Sequence, residues 1–278
     1  MPIKSILVAL DGGERTPATL ETALTLVGRF GAHADVLHVR PDALTDVPAI
    51  GEGMSGQLAD AVSHGNTLRS EQRARLAREV FERVCGADHP SMTFVERVGR
   101  RHAVMARLGR VHDLILVGPP SDPRDIAHSL TMDALFLTGR PVLVVPHHAP
   151  ASLGEHVAVA WNGSAECARA LGGASNFLPH AKRVTILTAE SARTPRSVVS
   201  ELADYLARHT AAPVETRIIG QLGKNHLGGR QLLEAVRESG ADLLVMGARK
   251  LGRLERLMLG GATQDVLRDA DLPVLMGH

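Results

Sequence analysis

The sequence predicts an α/β fold of two tandem, doubly wound parallel five-stranded sheets. Three observations lead to this fold class: the chain of 278 residues repeats itself, its apolar runs are short and nearly continuous, and helical segments alternate with those runs. The runs LILVG at 114–118 and LLVMG at 243–247 are typical of strands buried on both faces. Helices on both faces of a parallel sheet provide that burial.

The internal repeat divides the chain into two halves. Four segment pairs follow one another in the same order: ILVALDG (6–12) and VAVAWNG (157–163), DVLHV (35–39) and VTILTA (184–189), DLILVG (113–118) and DLLVMG (242–247), and PVLV (141–144) and PVLM (273–276). A threonine, Thr131 or Thr263, lies ten residues before the proline of the last pair. These ordered matches are hard to obtain by chance. Together with a turn-rich link at 147–154, they predict domains at 1–148 and 154–278.

Each half is predicted to contain five strands connected by four helices. The predicted helices are 16–30, 67–85, 103–110 and 129–137 in the first half and 165–177, 195–209, 229–238 and 262–269 in the second. Residues 43–66 predict a loop that leads into the long second helix. In a doubly wound sheet, ligands bind beyond the carboxyl ends of the strands, where the strand order reverses. Asp11, Asn162, Gly118 and Gly247 end strands at that edge.

Composition argues against several classes of partner. Lys and Arg (31) nearly balance Asp and Glu (30), and aromatic residues make up 3% of the chain, so neither nucleic acid nor a membrane is expected. The first apolar run is too short for a signal peptide or a membrane span. Cys85 and Cys167 are far apart, which suits a reducing cytoplasm, and the 14 histidines are scattered. The sequence therefore predicts a cytoplasmic protein without a metal site of its own.

Over nearly its full length the chain resembles a tandem pair of universal stress protein domains. Family domains have a first strand ending in Asp, then Gly-x2-Gly-x9-Gly-Ser/Thr after the fourth strand, and a last strand with Pro-Val-Leu. The resemblance implies Rossmann-like domains that pair through their last strands, at 141–145 and 273–276. Those apolar strands would otherwise remain exposed sheet edges, so we expect a pseudo-twofold pair within one chain. A further homodimer of chains and an unidentified protein partner fit the same resemblance.

The family motif is partly kept in the second half. Gly247 matches the first glycine, Lys250 stands at the second, Gly260 at the third and Gly261 at the Ser/Thr position, with Thr263 two residues further. The family's adenine and ribose contacts fall on Asn162, Ala189 and Met246, with Gly163 beside Asn162. The resemblance thus implies ATP or another adenine nucleotide, with Mg²⁺ only as its companion.

Two interpretations of this glycine-rich loop remain open. Gly260 and Gly261 precede a predicted helix whose N–H groups and positive dipole end favour an anion. Lys250 and Arg249, supported by Arg253 and Arg256, are placed to add positive charge; alternatively the segment only caps the helix and exposes a basic face. If backbone groups hold the phosphate, Gly260 should tolerate substitution less than Lys250, since a side chain would crowd the approach and oppose a positive φ.

The first half keeps Asp11 but not the loop. Thirteen positions separate Gly118 from Thr131, against sixteen between Gly247 and Thr263. The shortened loop at 119–125 contains three prolines, which lack N–H donors, and two aspartates, which repel phosphate. We therefore predict that only the second half binds a nucleotide. Two functions are left open: a nucleotide-binding stress regulator with at most trace ATP hydrolysis, and a protein-interaction module. A dedicated enzyme is disfavoured, because no general base or nucleophile lies beside the loop.

Overall fold

The computed structural model describes residues 2–13, 16–40, 56–120, 126–190, 195–221, 228–251 and 258–278. Within these ranges the chain is an α/β protein, as the sequence predicts, and each half follows the expected alternation of strands and helices.

The elements of the first half run in the predicted order. They are β1 (Ser5–Leu10), α1 (Thr16–Phe30), β2 (His33–Arg40), α2 (Gly56–Cys85), β3 (Met92–Val98), α3 (Arg101–Gly109), β4 (Leu114–Val117), α4 (Ile126–Leu137) and β5 (Val142–Val144).

The second half repeats this series and adds a short antiparallel ribbon. Its elements are β6 (His156–Trp161), α5 (Ala165–Gly173), β7 (Arg183–Glu190), α6 (Arg196–Ala207), β8 (Val214–Gln221), α7 (Gly229–Ser239), β9 (Leu243–Gly247), β10 (Lys250–Leu251), β11 (Met258–Leu259), α8 (Gly261–Asp269) and β12 (Val274–Gly277). Two 3₁₀ turns follow α5, at Ala174–Asn176 and Leu178–His180. The ribbon pairs β10 with β11.

The two five-stranded sheets join into one sheet of ten strands. Its order is β3-β2-β1-β4-β5-β12-β9-β6-β7-β8. Neighbouring strands within each half are parallel, whereas β5 and β12 meet antiparallel, with Leu143 opposite Leu275. The expectation that the two last strands pair within one chain is therefore confirmed. This pairing removes two apolar edges at once, since each strand covers the open backbone of the other.

Side chains beside this seam also connect the halves. The rings of Phe30 and Phe177 pack edge to face, with centroids 5.3 Å apart. The Arg29 guanidinium lies 5.7 Å from both ring centroids and donates a hydrogen bond to the Leu153 carbonyl. A continuous apolar core extends through both halves on this face of the sheet. The halves therefore fold against each other rather than as separate bodies.

An aspartate before the fourth strand fixes the start of the first strand in each half. The Asp113 carboxylate accepts hydrogen bonds from the backbone N–H groups of Lys4 (2.9 Å) and Ser5 (3.0 Å). Asp242 accepts three, from Gly154 (2.9 Å), Glu155 (3.1 Å) and His156 (3.0 Å). The repeated Asp-Leu pattern thus has a structural role, because its carboxylate holds the backbone at the start of the first strand in each half.

Helix α2 corrects one boundary prediction. It begins at Gly56 rather than at residue 67, so residues 56–66 are helical and do not belong to the expected loop. Gly65 and Asn66 have low intrinsic helix propensity and interrupt the apolar pattern, but propensity is a weak signal that the rest of the fold can override. Residues 43–55, the remainder of the predicted loop, lie outside the described ranges. Two smaller shifts are that α4 begins at Ile126 and α5 ends at Gly173.

Candidate functional site

The candidate site lies at the carboxyl ends of the strands in the second half. Strand β6 lies between β7 and β9, so the strand order reverses beside it. Asn162 and Gly163 follow β6, Ala189 lies near the end of β7, and Gly247 ends β9. Helices α5 and α8 both begin at this edge. The topology therefore brings the strand-end residues and the glycine loop to one side of the sheet, as expected for a doubly wound fold.

Asn162 shapes the turn between β6 and α5. Its Oδ1 accepts a hydrogen bond from the backbone N–H of Ser164 (3.0 Å) and one from the Cys167 thiol (3.1 Å). Gly163 has a left-handed φ of 72°, which glycine adopts without strain. Because a backbone N–H can only donate, the Asn162 oxygen faces Ser164 and the amide nitrogen faces away. This end of the site therefore offers N–H donors to a ligand.

The corresponding turn in the first half has nearly the same geometry but different chemistry. Asp11 Oδ1 accepts from the backbone N–H of Gly13 (2.9 Å), and Gly12 has a φ of 71°. A carboxylate has only acceptor oxygens, so the Asp11 turn offers acceptors where the Asn162 turn offers donors. The substitution of Asp by Asn thus changes the hydrogen-bonding character of the edge without changing its backbone.

Gly247 is explained by packing. A Cβ at this position would lie 2.6 Å from the backbone nitrogen of Cys167, closer than real Cβ contacts. The absence of a side chain lets the start of α5 lie directly on the end of β9. The side chain of Met246 is 6% exposed and packs in the core on one face of the sheet, so it does not line the edge. Ala189 is half-buried.

The glycine loop closes through its backbone. The N–H of Gly260 donates to the Arg249 carbonyl (2.9 Å), and Lys250 pairs with Leu259 in the ribbon. Arg249 is exposed. The side chain of Lys250, and Arg253 and Arg256 altogether, lie outside what the structure describes, so their predicted role in phosphate binding stays a prediction.

Gly260 does not need the positive φ that we expected. It is the N-cap of α8 with φ −63° and ψ 147°, an extended conformation open to any residue. Its Cβ would make ordinary contacts, the nearest at 3.7 Å to the Arg249 Cβ. That part of the prediction is wrong, because the N-cap position of a helix has extended backbone geometry.

The start of α8 is the feature that suits an anion. No side chain of Gly260 caps the helix, and the first intrahelical bond runs from Gln264 N–H to the Gly260 carbonyl. Helix geometry leaves the N–H groups of residues 261–263 without a partner inside the helix. A Cβ at Gly261 would meet nothing within 4 Å. Thr263, in contrast, is 3% exposed, so its side chain belongs to the packed underside of the helix.

Among the described residues of the first half, one small cavity lies at the carboxyl ends of β1 and β4. The cavity has a volume of about 10 Å³, enough for about one water. Its lining residues are Ala9, Leu10, Asp11, Thr16, Thr19, Gly118 and Leu130. Helix α2 packs directly on the turn after β1, since a Cβ at Gly12 would lie 2.8 Å from the Arg73 carbonyl oxygen. Residues 121–125 of the proline-rich loop lie outside the described ranges.

His38 is buried beside this first-half edge, and we expect it to make stability depend on pH. Desolvation by burial lowers the pKa of His38, and the positive charge of Arg73 lowers it further. A hydrogen bond with the Leu10 carbonyl and the carboxylates of Glu96 and Asp11 act in the opposite direction but do not cancel the effect of burial. A base with a lowered pKa binds fewer protons in the folded state than in the unfolded state. The free energy of unfolding should therefore fall as the pH falls through the ordinary histidine range, around 6.5.

We expect His38→Gln to flatten this dependence. Urea unfolding of both proteins is measured at about pH 7.5 and about pH 5.5, which lie on either side of the histidine pKa. The free energy of unfolding should fall less between these two pH values in the variant than in the wild type. The other histidines are common to both proteins, so the difference isolates His38. Equal losses would contradict the assignment.

The described residues contain neither a metal-binding cluster nor a membrane-spanning helix. Nowhere in these ranges do three or more His, Cys, Asp or Glu side chains group so that they could hold a metal ion. Nor does a helix within the same ranges have the length and apolar character needed to cross a membrane.

Comparison with known proteins identifies the class of this two-domain α/β chain. The family described as "Universal stress protein family" matches residues 2–118 and 155–278. The chain belongs to the universal stress protein family.

Individual relatives agree with this assignment along the whole chain. Universal stress protein Slr1230 of Synechocystis is 24% identical over 296 residues, covering 98% of this chain and 99% of its own. The crystal structure of a universal stress protein from Archaeoglobus fulgidus matches with a TM-score of 0.69 at 18% identity, over 98% of this chain and 97% of its own. A Pseudomonas aeruginosa structure of the family matches with a TM-score of 0.54 at 16% identity, over 98% and 92%. The structural matches support the fold.

Proposed function

We propose that this universal stress protein binds an adenine nucleotide, ATP or a close relative, in its second half and acts as a stress-response sensor or regulator. The observation that carries the proposal is the uncapped start of α8 after Gly260 and Gly261, at the same sheet edge as Asn162. An anion at such a helix start meets several N–H donors and the positive end of the dipole. The phosphates belong at this helix start, and the nucleoside belongs toward Asn162 and Ala189.

The amide orientation at Asn162 adds to the proposal. Its nitrogen is available to donate, because its oxygen already accepts from Ser164 and Cys167. A ring nitrogen or a ribose oxygen of the nucleoside can accept this bond. Asn162 then binds by hydrogen bonding alone, without the charge that an aspartate would bring.

The two halves differ in what they can hold. Among the described residues, the cavity at the first-half edge has space for about one water, with Asp11 as an acceptor and α2 packed on Gly12. This supports our expectation that a nucleotide occupies the second half alone. Electron density for a triphosphate at the first-half edge would refute it.

The wider proposal follows the family. One universal stress protein has been solved in complex with cAMP, and one from Archaeoglobus fulgidus in complex with dAMP. We propose domains at 1–148 and 154–278. The free thiols of Cys85 and Cys167 are in keeping with a cytoplasmic location, which we also propose. No dedicated catalytic activity is part of the proposal. A homodimer of chains and a protein partner are part of the same proposal.

The test is a substitution at the helix start. Gly261→Val places a branched side chain where a Cβ meets open space, so bulk there should obstruct the N–H groups rather than the protein. We expect ATP affinity to fall at least about tenfold, equivalent to 1.4 kcal/mol. Stability should change by less than about 0.5 kcal/mol, since Gly and Val differ little in helix propensity. Calorimetric titration with ATP and urea unfolding measure the two effects.

Gly172→Val is the matched control. Gly172 also lies in a helix with nothing within 4 Å of its Cβ, but near the end of α5, away from the sheet edge. It should leave ATP binding unchanged. If wild-type protein binds no ATP at millimolar concentration, the glycine loop only caps α8 and the interaction-module function replaces this proposal.

A further inference from the structure

A second cavity, of about 330 Å³, lies in the second half between α6 and the carboxyl-terminal parts of β7 and β8. This volume is in the range of small-molecule sites. The lining residues that matter here are Thr188, Arg196, Val199, Ala203, Thr216 and Ile218. Strand β8 is the edge of the sheet, and Ile218 is 47% exposed there. The cavity therefore combines a cation, hydroxyl groups and an apolar wall open to solvent.

The internal repeat shows what normally fills this space. Strand register gives the equivalent positions in the first and second halves: His38 and Thr188, Phe94 and Thr216, and Glu96 and Ile218. In each of these three pairs, the side chain in the first half is larger or more polar than its equivalent in the second half. The second half has thus lost an imidazole, an aromatic ring and a carboxylate.

In the first half an aromatic ring is held between a helix and the sheet edge. The Phe94 ring packs against Phe81 of α2, with centroids 5.6 Å apart. The Arg78 guanidinium lies 4.5 Å from the Phe94 ring centroid, a distance typical of a cation–π contact. Glu96 beside it forms an ion pair with Arg40 (2.6 Å). The first half is therefore complete without a ligand at this position.

The second half lacks these groups on the corresponding strands and has smaller side chains opposite them. Thr216 stands in place of Phe94, and α6 contributes the small apolar side chains of Val199 and Ala203. Helix α6 has 12 residues, against 30 in α2, so it covers less of the sheet. The cavity therefore lies where the first half has the Phe94 ring and its polar neighbours, and Arg196 is one of the residues that line it.

We propose that this cavity is a binding site for a small aromatic anion, separate from the nucleotide site. The ring takes the place that Phe94 occupies in the first half, against Val199, Ala203 and Ile218. The negative group pairs with the Arg196 guanidinium, and the hydroxyl groups of Thr188 and Thr216 bind polar substituents. The cavity lies between β7, β8 and α6. The nucleotide edge involves β6, β9, α8 and Ala189 at the end of β7, so the two sites are neighbours that share a strand, and binding of both ligands together is part of the proposal.

The experiment uses the full chain and a fluorescent aromatic anion, 8-anilinonaphthalene-1-sulfonate. We expect saturable binding with one site per chain that ATP does not displace. Thr216→Phe restores the first-half arrangement and should lower the probe affinity at least about tenfold, or 1.4 kcal/mol. Thr93→Phe is the matched control, since Thr93 is exposed on β3, the opposite edge strand, and should leave the affinity unchanged.

A second pair of measurements tests the charge. Arg196→Gln should weaken binding of the sulfonate by up to about fivefold, the scale of an exposed ion pair. It should not affect N-phenyl-1-naphthylamine, which has the same rings without the sulfonate. Circular dichroism and urea unfolding confirm that each variant is folded. Unchanged affinity in Thr216→Phe, displacement of the probe by ATP, or equal effects of Arg196→Gln on both probes would each overturn the proposal.

Discussion

Leu275→Ala should lower the free energy of unfolding by about 2–5 kcal/mol, the usual cost of removing a fully buried leucine side chain. Leu275 is 0% exposed and lies opposite Leu143, also 0% exposed, where the two sheets join. The cavity left behind cannot collapse easily, because strands from both halves hold its walls. Since the core is continuous through the seam, both halves should lose stability together.

Two probes of urea unfolding can distinguish this outcome. Trp161 is the single tryptophan of the chain and lies in β6, so its fluorescence reports the second half. Circular dichroism reports both halves. The two transitions should coincide in the wild type and in the variant, with both midpoints lowered. Val98→Ala, at a side chain 57% exposed in β3, is the control and should change stability by less than about 0.5 kcal/mol. A shift of the fluorescence transition alone would mean that the halves unfold independently.

Asp242→Ala should cost about 3–5 kcal/mol of stability. The Asp242 carboxylate accepts three hydrogen bonds from backbone N–H groups at the start of β6. A hydrogen bond to a charged acceptor contributes roughly 1.5–3 kcal/mol, and the total is less than the sum because all three bonds share one carboxylate. Removing it leaves three donors in the link between the halves without their acceptor. Chemical denaturation at neutral pH measures the loss.

The first half offers an internal comparison. Asp113 accepts only two such bonds, so Asp113→Ala should cost less than Asp242→Ala. Asp242→Asn should fall between the wild type and Asp242→Ala, because the amide oxygen can still accept while its nitrogen cannot. An equal cost for Asp113→Ala and Asp242→Ala would show that the number of bonds does not determine the loss.

The repeat made the fold predictable, because five strands and four helices recur in the same order and each strand is apolar enough for burial on both faces. Strand and helix bounds follow from this periodicity to within a few residues. Helix α2 is the exception, since Gly65 and Asn66 conceal a helix that begins at Gly56. Local propensity is weak there, and the surrounding fold decides the outcome.

The candidate site was predictable only in its position. The sequence places Asn162, Gly247 and Gly260 at one edge, because parallel strands end on the same side of a sheet. It does not reveal that Ser164 and Cys167 orient the Asn162 amide, because these bonds depend on the turn geometry. Nor does it reveal that Gly247 is needed for contact with α5, or that Gly260 has a negative φ.

By itself, the sequence determined the α/β class, the two halves and the edge where a ligand belongs, because these depend on the order and periodicity of apolar segments. The pairing of the halves was expected from the family resemblance. Only the tertiary structure decided which space remains open. In the first half α2 packs directly on the Gly12 turn, while the short α6 and the small side chains of Thr188 and Thr216 leave a cavity in the second half. Open volume depends on how side chains from distant segments meet, and no local pattern in the chain records it.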